Sequence, residues 1–179
     1  MSLMSSLRSI THAIESAVEV VCKAVLTISG FSLLAVLVTN VFMRYVLEGS
    51  LDAASELPSL LFPWFVMGAI VLAAVRGNHI AMSLTMHMLP PGGRRFLAGL
   101  IYGLSAVVFT FLGWFAVDNM LIAHDEVSTI LHVPGSVGYA ALTIAYFLLA
   151  LTAVSAMIRY VICAEPIIVD LTSSEGSPT

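Results

Sequence analysis

Charged side chains are scarce in this sequence: Asp, Glu, Lys and Arg make up 10% of its 179 residues, whereas 59% are hydrophobic. A soluble globular domain usually carries about 25% charged residues, so this composition does not fit one. Four long stretches contain no charged side chain at all: Ala24–Met43, Leu57–Val75, Phe96–Val117 and Val137–Ile158. Because about 20 helical residues cross the ~30 Å hydrocarbon core of a bilayer, each stretch is long enough to span a membrane.

The sequence therefore predicts an all-α integral membrane protein with four transmembrane helices in one bundle. This single domain covers residues 1–165, and the polar tail over residues 166–179 is expected to be disordered. A short interfacial helix is predicted between the first two spans, near Leu51–Ala54. In the second span, Pro63 removes a backbone donor and is expected to kink the helix.

A second short helix, amphipathic, is predicted at residues 5–22. Its apolar residues recur at three- and four-residue steps, opposite His12, Glu15, Glu19 and Lys23. Glu19 and Lys23 are spaced for an i, i+4 ion pair. This segment either lies on the membrane surface or extends the first span, and the pattern alone does not decide between the two.

The few basic residues predict the orientation in the membrane. Six of the seven Lys and Arg residues lie before the first span, between the second and third, or after the fourth, and only Arg44 lies in an outer loop. Lys and Arg collect on the cytoplasmic side of membrane proteins, so both termini are predicted to be cytoplasmic. Cys22 and Cys163 then lie on the reducing side, and no disulfide is expected.

The spans also lack the groups that transport and redox chemistry require. A proton-coupled exporter needs an acid near the middle of the membrane, and a b-type cytochrome needs facing histidines. The five histidines all lie outside the spans. His124 and His132 are either metal ligands or, as we expect, part of a solvated loop. The chain alone is thus predicted to be neither an enzyme nor a pump, and to hold no cofactor or metal.

What the spans do contain is small and neutral polar residues that suit helix packing. Gly99 and Gly103 form a GxxxG pair in the third span, and Asn40 places an amide near the outer end of the first. An amide in lipid requires a hydrogen-bond partner. Both features serve either contacts inside the bundle or contacts with a second protein.

Several short motifs, in order, resemble the small membrane subunit of TRAP transporters (DctQ type). The close similarity covers roughly residues 38–96, and the chain departs from the family pattern at Ala53, Ser55, Ser83, Ser136 and Val137. The matching segments are Asn40-Val-Phe-Met-Arg44-Tyr45, Glu56-Leu57, Phe62-Pro63-Trp64, Gly68-Ala69, Arg76-Gly77-Asn78-His79-Ile80, Leu89-Pro90 and Arg94-Arg95.

This resemblance implies a role beside a large permease subunit that holds the sodium and substrate sites. A periplasmic substrate-binding protein delivers the substrate, and the small subunit enlarges the immobile scaffold of an elevator-type transporter. Substrates in the family are mostly organic acids. The expected location is a bacterial inner membrane, with phospholipid as a further partner and no nucleic acid.

Three candidate contact residues lie near the outer ends of the spans. Arg44 and Tyr45 contact a partner, or simply anchor a helix end at the membrane surface. Glu56 either pairs with Arg44 or favours the helix N-terminus at which it stands.

Three further candidates belong to the second helix. Trp64 is expected to make an interhelix contact or to anchor the interface. Arg76 and His79 contact the permease or a lipid phosphate, or else serve as a plain positive-inside anchor.

The resemblance thus implies a scaffold subunit of a sodium-coupled transporter for organic acids. The alternatives are a self-sufficient small transporter that forms homo-oligomers through the GxxxG face, and a redox membrane subunit.

Overall fold

A computed structural model describes residues 2–46, 53–86 and 91–162, with side chains for residues 9–46, 54–76, 93 and 95–161. Four α-helices make up nearly all of this part of the chain: α1 Ser2–Val46, α2 Ala53–Met86, α3 Pro91–Ile122 and α4 Ser136–Met157. A π-helical turn, Ile158–Ile162, continues α4. All four helices are long and apolar enough to cross a membrane, which confirms the predicted all-α, four-span architecture.

The N-terminal amphipathic segment is continuous with the first span in α1, so it extends that span. Residues 2–29 contain neither glycine nor proline, and nothing in the sequence interrupts the helix there. The stretch Ile80–Met86 likewise extends α2. The first two positions of the predicted helix at Leu51–Ala54 lie outside the described residues, and its last two are the first two of α2. The helix α2 runs through both Pro58 and Pro63 without interruption.

The helices pack in the order α1, α2, α4, α3. The larger buried cluster joins α1, α2 and α4 through residues such as Cys22, Val71 and Ala145. A smaller cluster joins α3 to the end of α4, where the rings of Tyr102 and Tyr160 stack with their centroids 5.7 Å apart. Because α4 contributes to both clusters, it is the central helix of the bundle.

The helices α1 and α2 approach each other closely at Gly68. A Cβ atom there would lie 3.0 Å from the Cys22 carbonyl oxygen and 3.1 Å from the Leu26 amide nitrogen. Both are backbone atoms of α1, so only glycine fits without moving a helix. Small residues allow this kind of close packing in membrane helices.

Candidate functional site

A buried ion pair lies where α1 meets the end of α4. Arg159 Nη1 donates to Glu15 Oε2 at 2.6 Å, and the Ser155 hydroxyl donates to Glu15 Oε1 at 3.0 Å. Arg159 is only 1% exposed. Its guanidinium carbon also lies 5.2 Å from the centre of the Tyr160 ring, a distance at which cation–π attraction operates. The pair joins the first helix to the last.

A second ion pair lies one helical turn along α1 and is more exposed. Arg76 Nε and Nη2 both donate to Glu19 Oε1 at 3.1 Å. Lys23 Nζ lies 2.8 Å from the same oxygen, which confirms the predicted i, i+4 pair. We call Glu15, Glu19, Arg76, Ser155 and Arg159 the Glu15 cluster. Together they connect α1, α2 and the end of α4 at one level of the bundle.

The Glu15 cluster borders an open cleft of about 320 Å³, lined also by His12, Ser16 and Val75. Each carboxylate in it is paired with an arginine, so the charges largely neutralise one another. The cleft combines two ion pairs with a hydroxyl donor. These groups hold α1, α2 and α4 together.

The opposite end of the bundle carries a second polar cluster around Glu56, in the first turn of α2. The hydroxyl of Ser128 donates to this carboxylate, as does the Thr129 hydroxyl at 3.0 Å. The backbone N–H groups of Ile130 and Leu131 donate to it at 3.3 Å and 3.1 Å. Glu56 and residues 128–131, here called the Glu56 cluster, therefore tie the start of α2 to the α3–α4 loop.

The α3–α4 loop itself forms a small hairpin. Ser128 N donates to Val133 O at 3.0 Å, and Gly135 N donates to Glu126 O at 2.8 Å. His132 at the turn has a positive φ of 54°, uncommon outside glycine. The carboxylate of Glu56 accepts the hydrogen bonds that the turn directs inward, so it stabilises this loop conformation.

Replacing Glu56 by alanine is expected to loosen the hairpin without unfolding the helices. Four donors of residues 128–131 lose a shared acceptor, so amide hydrogen exchange at Ile130 and Leu131 should accelerate, on the order of tenfold. Glu126→Ala is the matched control, because Glu126 lies in the same loop and bonds Gly135 through its backbone. Equal exchange rates in the two variants would contradict the assigned role of Glu56.

The predicted outer residues are placed as follows. Glu56 and Arg44 form no ion pair within the described residues, and the donors to Glu56 come instead from a loop more than 70 positions along the chain. Arg44 and Tyr45 are exposed near the end of α1, and Asn40 is half-buried. These three residues lie at the same end of the molecule as the Glu56 cluster.

The other predicted residues lie within α2 and α3. Trp64 packs, partly buried, against the larger core cluster, Arg76 belongs to the Glu15 cluster, and His79 lies in α2 with its side chain outside the described set. Gly99 and Gly103 face the end of α4: a Cβ at these positions would lie 3.4 Å from Val161 Cγ2 and 3.7 Å from Met157 Sδ. The GxxxG pair is therefore used inside the chain, and a homo-oligomer would need another face.

Sequence reasoning missed the pairing of Glu15 with Arg159. One signal was present: Thr11, Glu15, Val18 and Cys22 recur at three- and four-residue steps and so share a helix face. The structure buries all four. The histidines of the α3–α4 loop have local contacts, His124 Nδ1 with Ser136 Oγ at 3.0 Å and His132 Nδ1 with Ile130 O at 3.2 Å. The described part of the chain holds no group of three or more His, Cys, Asp or Glu residues arranged for a metal ion.

Comparison with known proteins gives a family match over most of the chain. The sequence model described as "Tripartite ATP-independent periplasmic transporters, DctQ component" matches residues 33–162. This range contains α2, α3, α4 and the C-terminal part of α1, together with the whole Glu56 cluster.

Three relatives are similar to this chain, and two of them are named as TRAP transporter small permease proteins. An uncharacterized protein of Sinorhizobium fredii, y4mM, is 37% identical over 159 residues, which are 87% of this chain and 29% of the relative. A putative TRAP transporter small permease protein of Haemophilus influenzae is 32% identical over 92 residues, 51% of this chain and 54% of that one.

The ectoine TRAP transporter small permease protein TeaB of Halomonas elongata is 35% identical over 89 residues, 50% of this chain and 46% of that one. The matches thus span about a third to a half of the length of these relatives. No solved structure matches this chain.

Proposed function

Because the chain belongs to the DctQ component family of the tripartite ATP-independent periplasmic (TRAP) transporters, we propose that it is the scaffold subunit of a sodium-coupled transporter for organic acids. In this role it braces a large elevator-type permease subunit and helps to dock the periplasmic substrate-binding protein. Sodium and substrate bind in the large subunit, and this chain holds no cofactor of its own.

The observation that supports this proposal is the position of the paired charges. The pairs Glu15–Arg159 and Glu19–Arg76 join helices to one another, and the carboxylate of Glu56 joins α2 to a loop. Charged groups that carry ions or protons across a membrane line a path through it. A subunit whose charges fasten its own helices at both ends is suited to remain still while a partner moves.

The lengths of the relatives support a large partner. In y4mM the matching region is 29% of the protein, so a unit similar to this one occurs there joined to a much longer stretch of polypeptide. We infer that the present chain works beside a comparably large membrane protein.

The proposed orientation follows from the basic residues. With both termini in the cytoplasm of a bacterial cell, the Glu15 cluster lies on the cytoplasmic side of the inner membrane, where the exposed Arg76 also meets phospholipid headgroups. The Glu56 cluster and its hairpin then face the periplasm, on the side from which the substrate-binding protein approaches.

Reconstitution tests the proposal. This chain alone in proteoliposomes is expected to take up no organic acid, whereas co-reconstitution with its large subunit and binding protein gives uptake driven by an inward sodium gradient. Replacing sodium by potassium outside is the control and should abolish uptake. Uptake by this chain alone, or a purified chain that never retains a larger membrane protein in mild detergent, would contradict the assignment.

A further inference from the structure

An apolar stripe runs along one side of α1, well beyond the predicted span. Its members recur at three- and four-residue steps, are all exposed, and include no charged residue: Ile10, Ala13, Ala17, Val20, Val21, Ala24, Ile28, Phe31, Ala35, Val38 and Phe42. At 1.5 Å per residue, the stripe from Ile10 to Phe42 is about 50 Å long. That length exceeds the ~30 Å hydrocarbon core and also the full bilayer of about 40–45 Å.

The polar residues of the same N-terminal segment lie on the other side of α1, at the Glu15 cluster and its cleft. Glu15 is buried against Arg159 and Ser155, and Glu19 is paired with Arg76. Ser16 is exposed but lines the cleft of the Glu15 cluster. His12, also exposed, lines the same cleft. An amphipathic helix lying free in water would bury its apolar residues, whereas Ile10, Ala17 and Val21 are exposed.

The contacts of α1 also show that it crosses the rest of the bundle at an angle. Near its start, Glu15 contacts Ser155 and Arg159 at the end of α4. Further along, the α1 backbone meets Gly68 of α2, and Gly30 faces Phe65. From residue 30 to residue 46 no α1 residue is buried. The helix thus passes from α4 across α2 and then leaves the core.

We propose that the stripe from Ile10 to Phe42 is one continuous lipid-contacting surface, and that residues 10–21 are immersed in the membrane leaflet at the Glu15 end. A tilt of about 35° brings a 50 Å stripe within the thickness of the bilayer, inside the range of observed tilts. The buried pair of Glu15 and Arg159 then lies on the bundle side of a membrane-immersed helix, where it is kept out of lipid. This inference does not depend on the transport role.

Fluorescence quenching in lipid vesicles tests the proposal on the full-length chain. Bimane is attached to single cysteines introduced as Ile10→Cys, Ser16→Cys and Phe31→Cys in a Cys163→Ser background, with the fully buried Cys22 left in place. Two quenchers are compared. Phosphatidylcholine brominated in its acyl chains quenches probes that contact lipid, and iodide on both sides of the membrane quenches probes that contact water. Phe31, in the middle of the stripe, is the lipid reference, and Ser16 is the aqueous reference.

The Ile10 probe is expected to lose fluorescence in brominated lipid comparably to the Phe31 probe, and to resist iodide. The Ser16 probe should show the opposite pattern. Ala17→Cys, on the same stripe, repeats the measurement if Ile10→Cys does not elute as the parent chain does. Iodide quenching of the Ile10 or Ala17 probe equal to that at Ser16 would overturn the proposal. Protection from both quenchers would assign the stripe to contact with a second copy of the chain, and would overturn it too.

Discussion

Replacing Arg159 by alanine is expected to lower the free energy of unfolding by about 3–5 kcal/mol, because it leaves the Glu15 carboxylate buried without its ion-pair partner. Glu15 is 8% exposed, and Ser155 would remain as its one described donor at this site. The substitution also removes the contact between the guanidinium and the Tyr160 ring, and the hydrogen bond that joins α4 to α1. Titration with a denaturing detergent, followed by the fluorescence of Trp64 and Trp114, measures the change.

Two further variants separate this cause from a general effect of losing a positive charge. Arg76→Ala removes the same charge from the exposed pair with Glu19 and should change stability far less, since exposed pairs contribute little. The double variant Glu15→Leu, Arg159→Met replaces both charges with apolar groups and should recover most of the lost stability. If Arg76→Ala and Arg159→Ala destabilise the chain equally, burial of the Glu15 pair is not what holds α1 to α4.

The four spans could be predicted from the sequence because the membrane imposes a simple requirement. A charge at mid-bilayer is costly, so charge-free runs of about 20 residues mark the spanning helices one by one. The helix ends were harder to predict. The helix α1 begins at Ser2, long before its charge-free run, because the preceding amphipathic residues contain no helix breaker.

The polar clusters could not be predicted, because their partners are far apart in the chain. Glu15 and Arg159 are separated by 144 positions, and Glu56 bonds residues 72–75 positions away. Sequence patterns report on neighbours along a helix, so they offered Glu56 only Arg44 and its own helix N-terminus. Which polar residues meet across the bundle is decided by the packing order of the helices, and periodicity does not reveal that order.

A similar limit applies to the glycines. The GxxxG pair in α3 matches a known packing pattern. Yet Cβ atoms added at Gly99 and Gly103 would lie at ordinary contact distances, 3.4 Å and 3.7 Å, from the nearest side-chain atoms. The tighter contact is at Gly68, in α2, where the opposing atoms belong to the α1 backbone. A pattern on one helix cannot report how near the backbone of another helix comes, so the more constrained glycine was not recognised from spacing.

Gly68→Ala is therefore expected to destabilise the bundle by about 1–3 kcal/mol, the usual cost of overpacking a well-packed contact. The new methyl group would lie 3.0 Å from the Cys22 carbonyl oxygen and 3.2 Å from Leu26 Cβ, and neither α1 nor α2 can yield without moving as a whole. Gly68→Val should be more damaging still, because its larger side chain enters the same gap. The same detergent titration measures both variants.

Gly103→Ala supplies the matched control, a glycine-to-alanine change within another spanning helix. Its Cβ would lie 3.7 Å from Met157 Sδ, an ordinary contact with a flexible side chain. Alanine also favours the helix over glycine by up to about 1 kcal/mol, so this variant should be neutral or slightly more stable. The ordering Gly103→Ala, Gly68→Ala, Gly68→Val, from most to least stable, identifies steric contact between α1 and α2 as the cause. Equal stability of the two alanine variants would show that α1 and α2 are not in close contact at Gly68.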